Sequence, residues 1–108
     1  MAAEQGSIIW VSFDPSVGHE PSKRRPALVV SSDYFNYRCS LTVVLPITST
    51  DSGFPYHVRI DQDGVRGFAC VEQMKVLDLE ARPHQVVGRL DGRTLSEVLN
   101  LVGSVFDI

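Results

Sequence analysis

Between Gly6 and Phe13 the chain is rich in β-branched and aromatic residues, which predicts a strand with Ile9, Val11 and Phe13 on one face. Trp10 takes the other face as a packing residue. A second strand is expected from Ala27 to Ser31. A third runs from Leu41 to Thr48, with Pro46 marking a bulge or an edge. Tyr56 to Ile60 alternates, so Tyr56, Val58 and Ile60 should face inward, and His57 and Arg59 outward as plain surface residues. Gly67 to Leu77 reads as a further strand bent near Glu72. His84 falls in an exposed linker, and Gln85 to Leu90 forms a short last strand.

The period changes at the C-terminal end. Leu95, Val98, Leu99, Val102, Val105 and Phe106 recur at helical spacing, and Thr94-Leu95-Ser96-Glu97 fits a capping box. Leu101 widens the stripe, which suits contact with both its own sheet and a second subunit. Asp33 to Arg38 adds one helical turn, capped by Ser32 or Asp33. Several short strands and one terminal helix predict a mainly β fold: a small, strongly bent antiparallel sheet or open barrel with a C-terminal α-helix packed on it.

The connections carry the polar chemistry. Asp14 to Arg25 is too polar and too rich in Pro and Gly for a helix, and longer than an ordinary hairpin loop. It holds His19, Glu20, Lys23, Arg24 and Arg25, and reads as a binding loop. Pro26 then opens the second strand, so the basic triplet should stand at the mouth of the sheet, placed to grip an anion. Thr48 to Gly53 is a hydroxyl-rich turn, and Asp61 to Gly64 a tight one.

A length of 108 residues with 44% hydrophobic content fits one domain spanning residues 1–108. The formal net charge of -3 excludes a broad basic face. Nucleic acid would have to bind at a local patch, or across a subunit interface that pools two patches. The acidic balance also leaves room for a basic partner segment. Cys39 and Cys70 stand far apart and fit small buried or half-buried thiols. Met1 to Ser7 lacks the apolar run of a secretory segment, and no apolar stretch approaches the ~20 residues of a membrane span. A cytoplasmic, reducing location is the expectation.

Among chemistries, His19, His57 and His84 are too widely spaced for a metal-ligand pattern. Gly64-Val65-Arg66-Gly67 matches no phosphate loop. What remains suits RNA cleavage through the ribose 2′-hydroxyl. That reaction needs a base for the 2′-proton and cations or donors for the pentacoordinate phosphate, but no metal. Arg25 can grip phosphate bidentately, Thr48 can donate from a strand end, and Glu72 or His19 can handle a proton. The Arg25 guanidinium stays charged, which favours it as an electrostatic stabiliser over an acid.

The order of four motifs is specific: Trp10-x-x-x-Asp14-Pro15 at the end of the run from Gly6, then Gly18-His19-Glu20, Arg25-Pro26-Ala27 and Pro46-Ile47-Thr48-Ser49. Phe35-Asn36, Gly53-Phe54-Pro55, Val71-Glu72-Gln73 and Asp78 to Arg82 extend the match. On these residues the chain resembles the MazF/PemK (Kid) family of toxin ribonucleases of bacterial toxin–antitoxin systems. The resemblance implies an SH3-like barrel of the CcdB/PemK/MazF kind, a homodimer, and cleavage of single-stranded RNA at short motifs. It also implies neutralisation by a MazE-like antitoxin whose acidic tail covers the site, and no cofactor or metal. By position, Arg25 and Thr48 match the family's catalytic pair. His19, Glu20, Glu72 and Gln73 are further catalytic or RNA-binding candidates, and Lys23, Arg24, Ser49 and Phe54 are RNA-binding candidates. Tyr34 and Tyr56 are stacking candidates. Cys70 stands where some members place a catalytic arginine, which favours the Arg25–Thr48 version of the site. The alternative on the same fold is a non-catalytic, CcdB-like toxin that binds DNA gyrase.

Overall fold

The computed structural model describes residues 3–13, 24–51 and 53–107. Seven antiparallel strands form one curled sheet: β1 (Ser7–Ser12), β2 (Arg24–Val29), β3 (Thr42–Thr48), β4 (His57–Gln62), β5 (Val65–Cys70), β6 (Lys75–Leu77) and β7 (His84–Arg89). Their order across the sheet is β4-β5-β3-β2-β1-β7, with β6 against β3. Helix α1 (Asp33–Cys39) links β2 to β3, and α2 (Gly92–Val105) closes the chain. The expected mainly β architecture with a terminal helix is what forms.

The sheet is apolar on both faces. Ile8, Leu28, Leu45, Ile47, Val58, Ile60 and Ala69 line one face, where buried Val98 of α2 packs together with Leu95, Leu99, Leu101 and Val102. Ile9, Val11, Ala27, Val29 and Val44 line the other, with Leu77, Leu79 and Phe13. Alternation therefore assigns Ile9, Val11 and Phe13 correctly to one face, and Tyr56, Val58 and Ile60 to the opposite one. Only the end of the helical stripe departs from expectation: Val105 and Phe106 are 45% and 58% exposed.

Several boundaries shift for identifiable reasons. Strand β2 begins at Arg24, because β1 continues to Ser12 and pairs Trp10↔Pro26, Val11↔Arg25 and Ser12↔Arg24. Arg24 and Arg25 are thus strand residues, not a loop end. The ladder to β1 passes through Pro26, whereas the ladder to β3 stops at Ala27, where a residue lacking an N–H is tolerated. Pro46 lies where the free edge of β3 changes partner from β6 at Val44 to β5 at Ile47. The long strand predicted from Gly67 starts at Val65 instead. Gln62 pairs with Val65 across a two-residue turn in which Asp63 and Gly64 both have positive φ, 53° and 83°, the geometry Asp-Gly hairpins favour. That strand ends in a 3-10 turn, Val71–Gln73, which is the bend expected near Glu72. His84 belongs to β7. The helix cap is Asp91 rather than Thr94: the Asp91 carboxylate accepts from the Thr94 backbone N–H at 2.9 Å and from its hydroxyl at 3.0 Å. This holds the Asp91 carboxyl below its ordinary pKa.

The short helix α1 serves the scaffold. Ser32 caps it by accepting from Phe35 N–H at 3.1 Å. Buried Asn36 donates to Ala3 and Ser31 carbonyls, at 2.8 and 3.2 Å, and accepts from the Ser31 hydroxyl. Cys39 is exposed and Cys70 buried, and neither is in a disulfide.

Candidate active site

Register places the two principal candidates at the same end of the sheet. Strand β2 pairs with β3 through Val29↔Val44, Leu28↔Leu45 and Ala27↔Pro46. The ladder ends there; Arg25 lies two residues before Ala27 and Thr48 two residues after Pro46, so both stand at that end, Arg25 on the face that carries Val11 and Ala27. Thr48 pairs in turn with Phe68, and Phe68 with Arg59. On the other side Arg25 pairs with Val11, and Val11 with His84. Two rows, Arg59-Phe68-Thr48 and Arg25-Val11-His84, thus end near one another at this end of the sheet.

Thr48 is oriented from its own chain. Its hydroxyl oxygen accepts from the Thr50 backbone N–H at 3.3 Å, leaving the hydroxyl hydrogen to donate outward. The strand end that carries it lies close against β5. A Cβ on Gly67 would stand 2.4 Å from the Thr48 carbonyl oxygen and 2.9 Å from Ile47 Cγ2, so only glycine permits this approach. Ser49 follows on the exposed turn and lines a 210 Å³ hollow with Arg59, Arg66 and Phe68. A larger hollow of 270 Å³, lined by Asn36, Tyr37 and Thr42 among others, lies at the opposite end of β3.

Beside these rows the structure corrects one expectation. His57 points to the outward face as alternation requires, yet its side chain is only 6% exposed. Phe54 packs beside it, ring centroids 5.6 Å apart, and Cys70 is its cross-strand neighbour. Its Nε2 lies 2.9 Å from Glu72 Oε2. Partial burial pushes the Glu72 carboxyl pKa up, but hydrogen bonds from His57 and its own backbone N–H, the field of the imidazole and a bond from Gln73 outweigh this. Glu72 is held below the ordinary glutamate value. An ionised carboxylate only accepts, so Nε2–H is the donor. Among the described residues, His57 Nδ1 is buried without a hydrogen-bond partner; the Asp51 Oδ1 atom is 3.9 Å away. Nothing in the sequence marks His57, because strand alternation reports a face and not what covers it.

Glu72 and Gln73 are exposed on the 3-10 turn, and Gln73 Nε2 donates to Glu72 Oε2 at 3.3 Å. Phe54 is 47% exposed, with its ring toward His57. Tyr34, 73% exposed, sits under the Arg38 guanidinium at 5.9 Å. The Tyr56 hydroxyl accepts from Ser104 Oγ at 3.3 Å, so Tyr56 braces α2. His19, Glu20 and Lys23, with the rest of the predicted binding loop up to residue 23, lie outside the described residues.

A metal set was not expected from sequence spacing. Donor atoms of His57, Cys70 and Glu72 nevertheless lie within 4.8 Å of one another. Each is already engaged: His57 with Glu72, and the Cys70 thiol with the Phe68 carbonyl at 3.6 Å. Burial and the Glu72 charge push the Cys70 pKa up, so a metal here would have to displace the thiol proton. The three side chains form a hydrogen-bonded acid–imidazole pair beside a thiol.

The architecture is that of a small, curled antiparallel sheet closed by one terminal helix. The family model described as "PemK-like, MazF-like toxin of type II toxin-antitoxin system" matches residues 4–106. The chain belongs to this family. It is 35% identical over 102 residues to the endoribonuclease toxin ChpB of Escherichia coli K12, covering 89% of this chain and 87% of ChpB. It is 34% identical over 109 residues to the Escherichia coli endoribonuclease PemK, covering 94% and 80%. MazF from Deinococcus radiodurans superposes with a TM-score of 0.84 at 30% identity over 100% of this chain and 99% of that one. A MazE–MazF crystal structure from the same organism gives 0.86 at 28%, over 100% and 99%. Among the described residues, no helix is long and apolar enough to cross a membrane.

Proposed function

We propose that this chain is a sequence-specific, metal-independent endoribonuclease toxin that cuts single-stranded RNA by attack of a ribose 2′-hydroxyl on the adjacent phosphate. The observation that supports this is that Arg25, two residues before the β2–β3 ladder begins at Ala27, and Thr48, two residues beyond Pro46, stand at the same end of the sheet. Arg25 holds the phosphate and balances charge as the fifth oxygen joins it. Thr48 donates its hydroxyl hydrogen to the same group. Glu72, kept ionised, accepts the 2′-proton. The 2′-oxygen bonds to phosphorus, the P–O5′ bond breaks, and the 5′-oxygen leaves with a proton from water. The products are a 2′,3′-cyclic phosphate and a 5′-hydroxyl.

Ser49, Phe54, Gln73 and Arg24 border this site and serve RNA binding, joined by His19, Glu20 and Lys23. A homodimer pools two basic segments despite the net charge of -3, and the exposed Val105 and Phe106 at the end of α2 suit a subunit contact. The relatives named endoribonucleases and the MazE–MazF complexes support an RNA substrate and a MazE-like antitoxin as partner; a cytoplasmic site of action belongs to the same reading. The single domain carries the whole activity.

The test is incubation of antitoxin-free protein with a long mixed-sequence RNA in EDTA. Cleavage at a short motif, leaving 2′,3′-cyclic phosphate ends, is expected. Ends with a 3′-hydroxyl would overturn the 2′-hydroxyl mechanism, and an intact RNA would overturn the ribonuclease reading and favour the gyrase-binding alternative.

A further inference from the structure

We propose that His57 is a positioning residue of this site: shielded from water, its imidazole clamps the Glu72 carboxylate and presents it in one orientation on the substrate face. The inference rests on the ribonuclease reading above and adds a residue to it. His57 cannot itself meet the RNA, since its side chain is 6% exposed and its Nε2 is committed to Glu72 at 2.9 Å.

The surroundings are built for that one contact. The turn after β3 contributes Phe54, whose tilted ring lies at 5.6 Å, and Asp51, whose carboxylate stops 3.9 Å short of Nδ1. Strand β5 contributes Cys70 directly opposite His57. The 3-10 turn contributes Glu72 and Gln73, and Arg59 is the next charged group on the same face of β4. Of the described groups facing the imidazole, Glu72 alone is within hydrogen-bond reach; among the described residues Nδ1 is left without a partner. Burying an unpaired ring nitrogen is costly, and the gain it accompanies is the fixed Nε2–Glu72 bond. A hydrogen bond to the charged form favours that form, and Glu72 is indeed held below its ordinary pKa. Glu72 lies on the turn that follows β5, whose Phe68 pairs with Thr48 at the end of β3 and whose Cys70 pairs with His57. The proton path is unchanged. The 2′-proton passes to Glu72 and then to water, while His57 keeps its own.

The experiment compares parent, His57→Leu, His57→Gln, Glu72→Gln and Arg25→Ala on an oligoribonucleotide carrying the motif mapped from the parent's own cuts. Leucine keeps the volume and removes the donor; glutamine keeps a donor near Nε2. His57→Leu should lose about tenfold or more in kcat with KM within about twofold, and the acid limb of its kcat/KM profile should move up by about one pH unit. His57→Gln should recover most of the activity and return the limb toward the parent's. Glu72→Gln should lose about a hundredfold or more. In the parent, the Glu72 carboxyl carbon followed by NMR should titrate below the ordinary glutamate value, a reading that needs no variant to fold. A folded His57→Leu with the parent's kcat and pH profile would overturn the proposal. So would equal losses in the leucine and glutamine variants, parent-like activity in Glu72→Gln, or an ordinary Glu72 titration. If Arg25→Ala cuts as well as the parent, the ribonuclease reading itself fails, a result separate from all of these.

Discussion

At the scale of the residue, the chemistry is concentrated in a few side chains whose settings the sheet dictates. Arg25 and Thr48 were legible in the sequence because each lies in a motif, Arg25-Pro26-Ala27 and Pro46-Ile47-Thr48. Glu72 was legible as a candidate acid. The role of His57 was not, since a residue that alternation sends outward is normally solvated, and here Phe54 and the turn bearing Glu72 cover it. The pair has a consequence for stability. Glu72 binds its proton less readily folded than unfolded. Its contribution is therefore present above the ordinary glutamate pKa and is lost as pH falls through the depressed folded value. Glu72→Gln should melt below the parent at neutral pH, with the gap closing in acid. Thermal melts across that range check this; a gap that stays constant with pH would mean the pair does not couple to folding.

At the scale of the element, the site depends on how closely β5 approaches the end of β3. Gly67 was expected to open a strand, and it lies inside β5 because the Asp63-Gly64 turn starts that strand two residues earlier. Its lack of a side chain lets the Thr48 carbonyl come close. Gly67→Ala should displace the end of β3, lowering stability by roughly 1–3 kcal/mol, the usual cost of overpacking, and lowering kcat as Thr48 shifts. Urea unfolding and cleavage kinetics on the same preparation measure both; unchanged values would mean the strands can part without cost. Helix α2 was read correctly from its apolar stripe, but its start was not. Asp91 and Thr94 both suit an N-cap, and the sequence alone does not show which one the preceding strand delivers to that position. The start of β2 was misplaced for a related reason: Pro26 looks like a first strand residue, yet β1 has free pairing groups beyond it and draws Arg24 and Arg25 into the ladder.

At the scale of the whole molecule, the net charge of -3 and a nucleic-acid substrate are compatible because the cations are local. Arg59 lies in the row of Phe68 and Thr48, Arg25 stands at the same end of the neighbouring strand, and Arg66 stands near Arg59 around the hollow that Ser49 borders. Binding to single-stranded RNA should weaken as salt rises, with log Kd against log salt having a slope of about 0.7 per phosphate contacted. Arg59→Ala should reduce that slope. An unchanged slope would remove Arg59 from the RNA path. Fold class, helix and the candidate pair Arg25 and Thr48 were thus open to a reader of the sequence, because hydrophobic period and short motifs point to them. The placing of Arg25, Thr48 and Arg59 toward one end of the sheet was not, since it depends on strand register across long sequence separations.

The most direct measurement sets the parent beside Arg25→Ala on one RNA in EDTA, with the fold of each confirmed by circular dichroism. The variant should stay folded and lose about a hundredfold to a thousandfold in cleavage rate, as expected when transition-state charge loses its stabilising partner. A folded Arg25→Ala that still cuts at the parent's rate would contradict the assignment of this face as the active site.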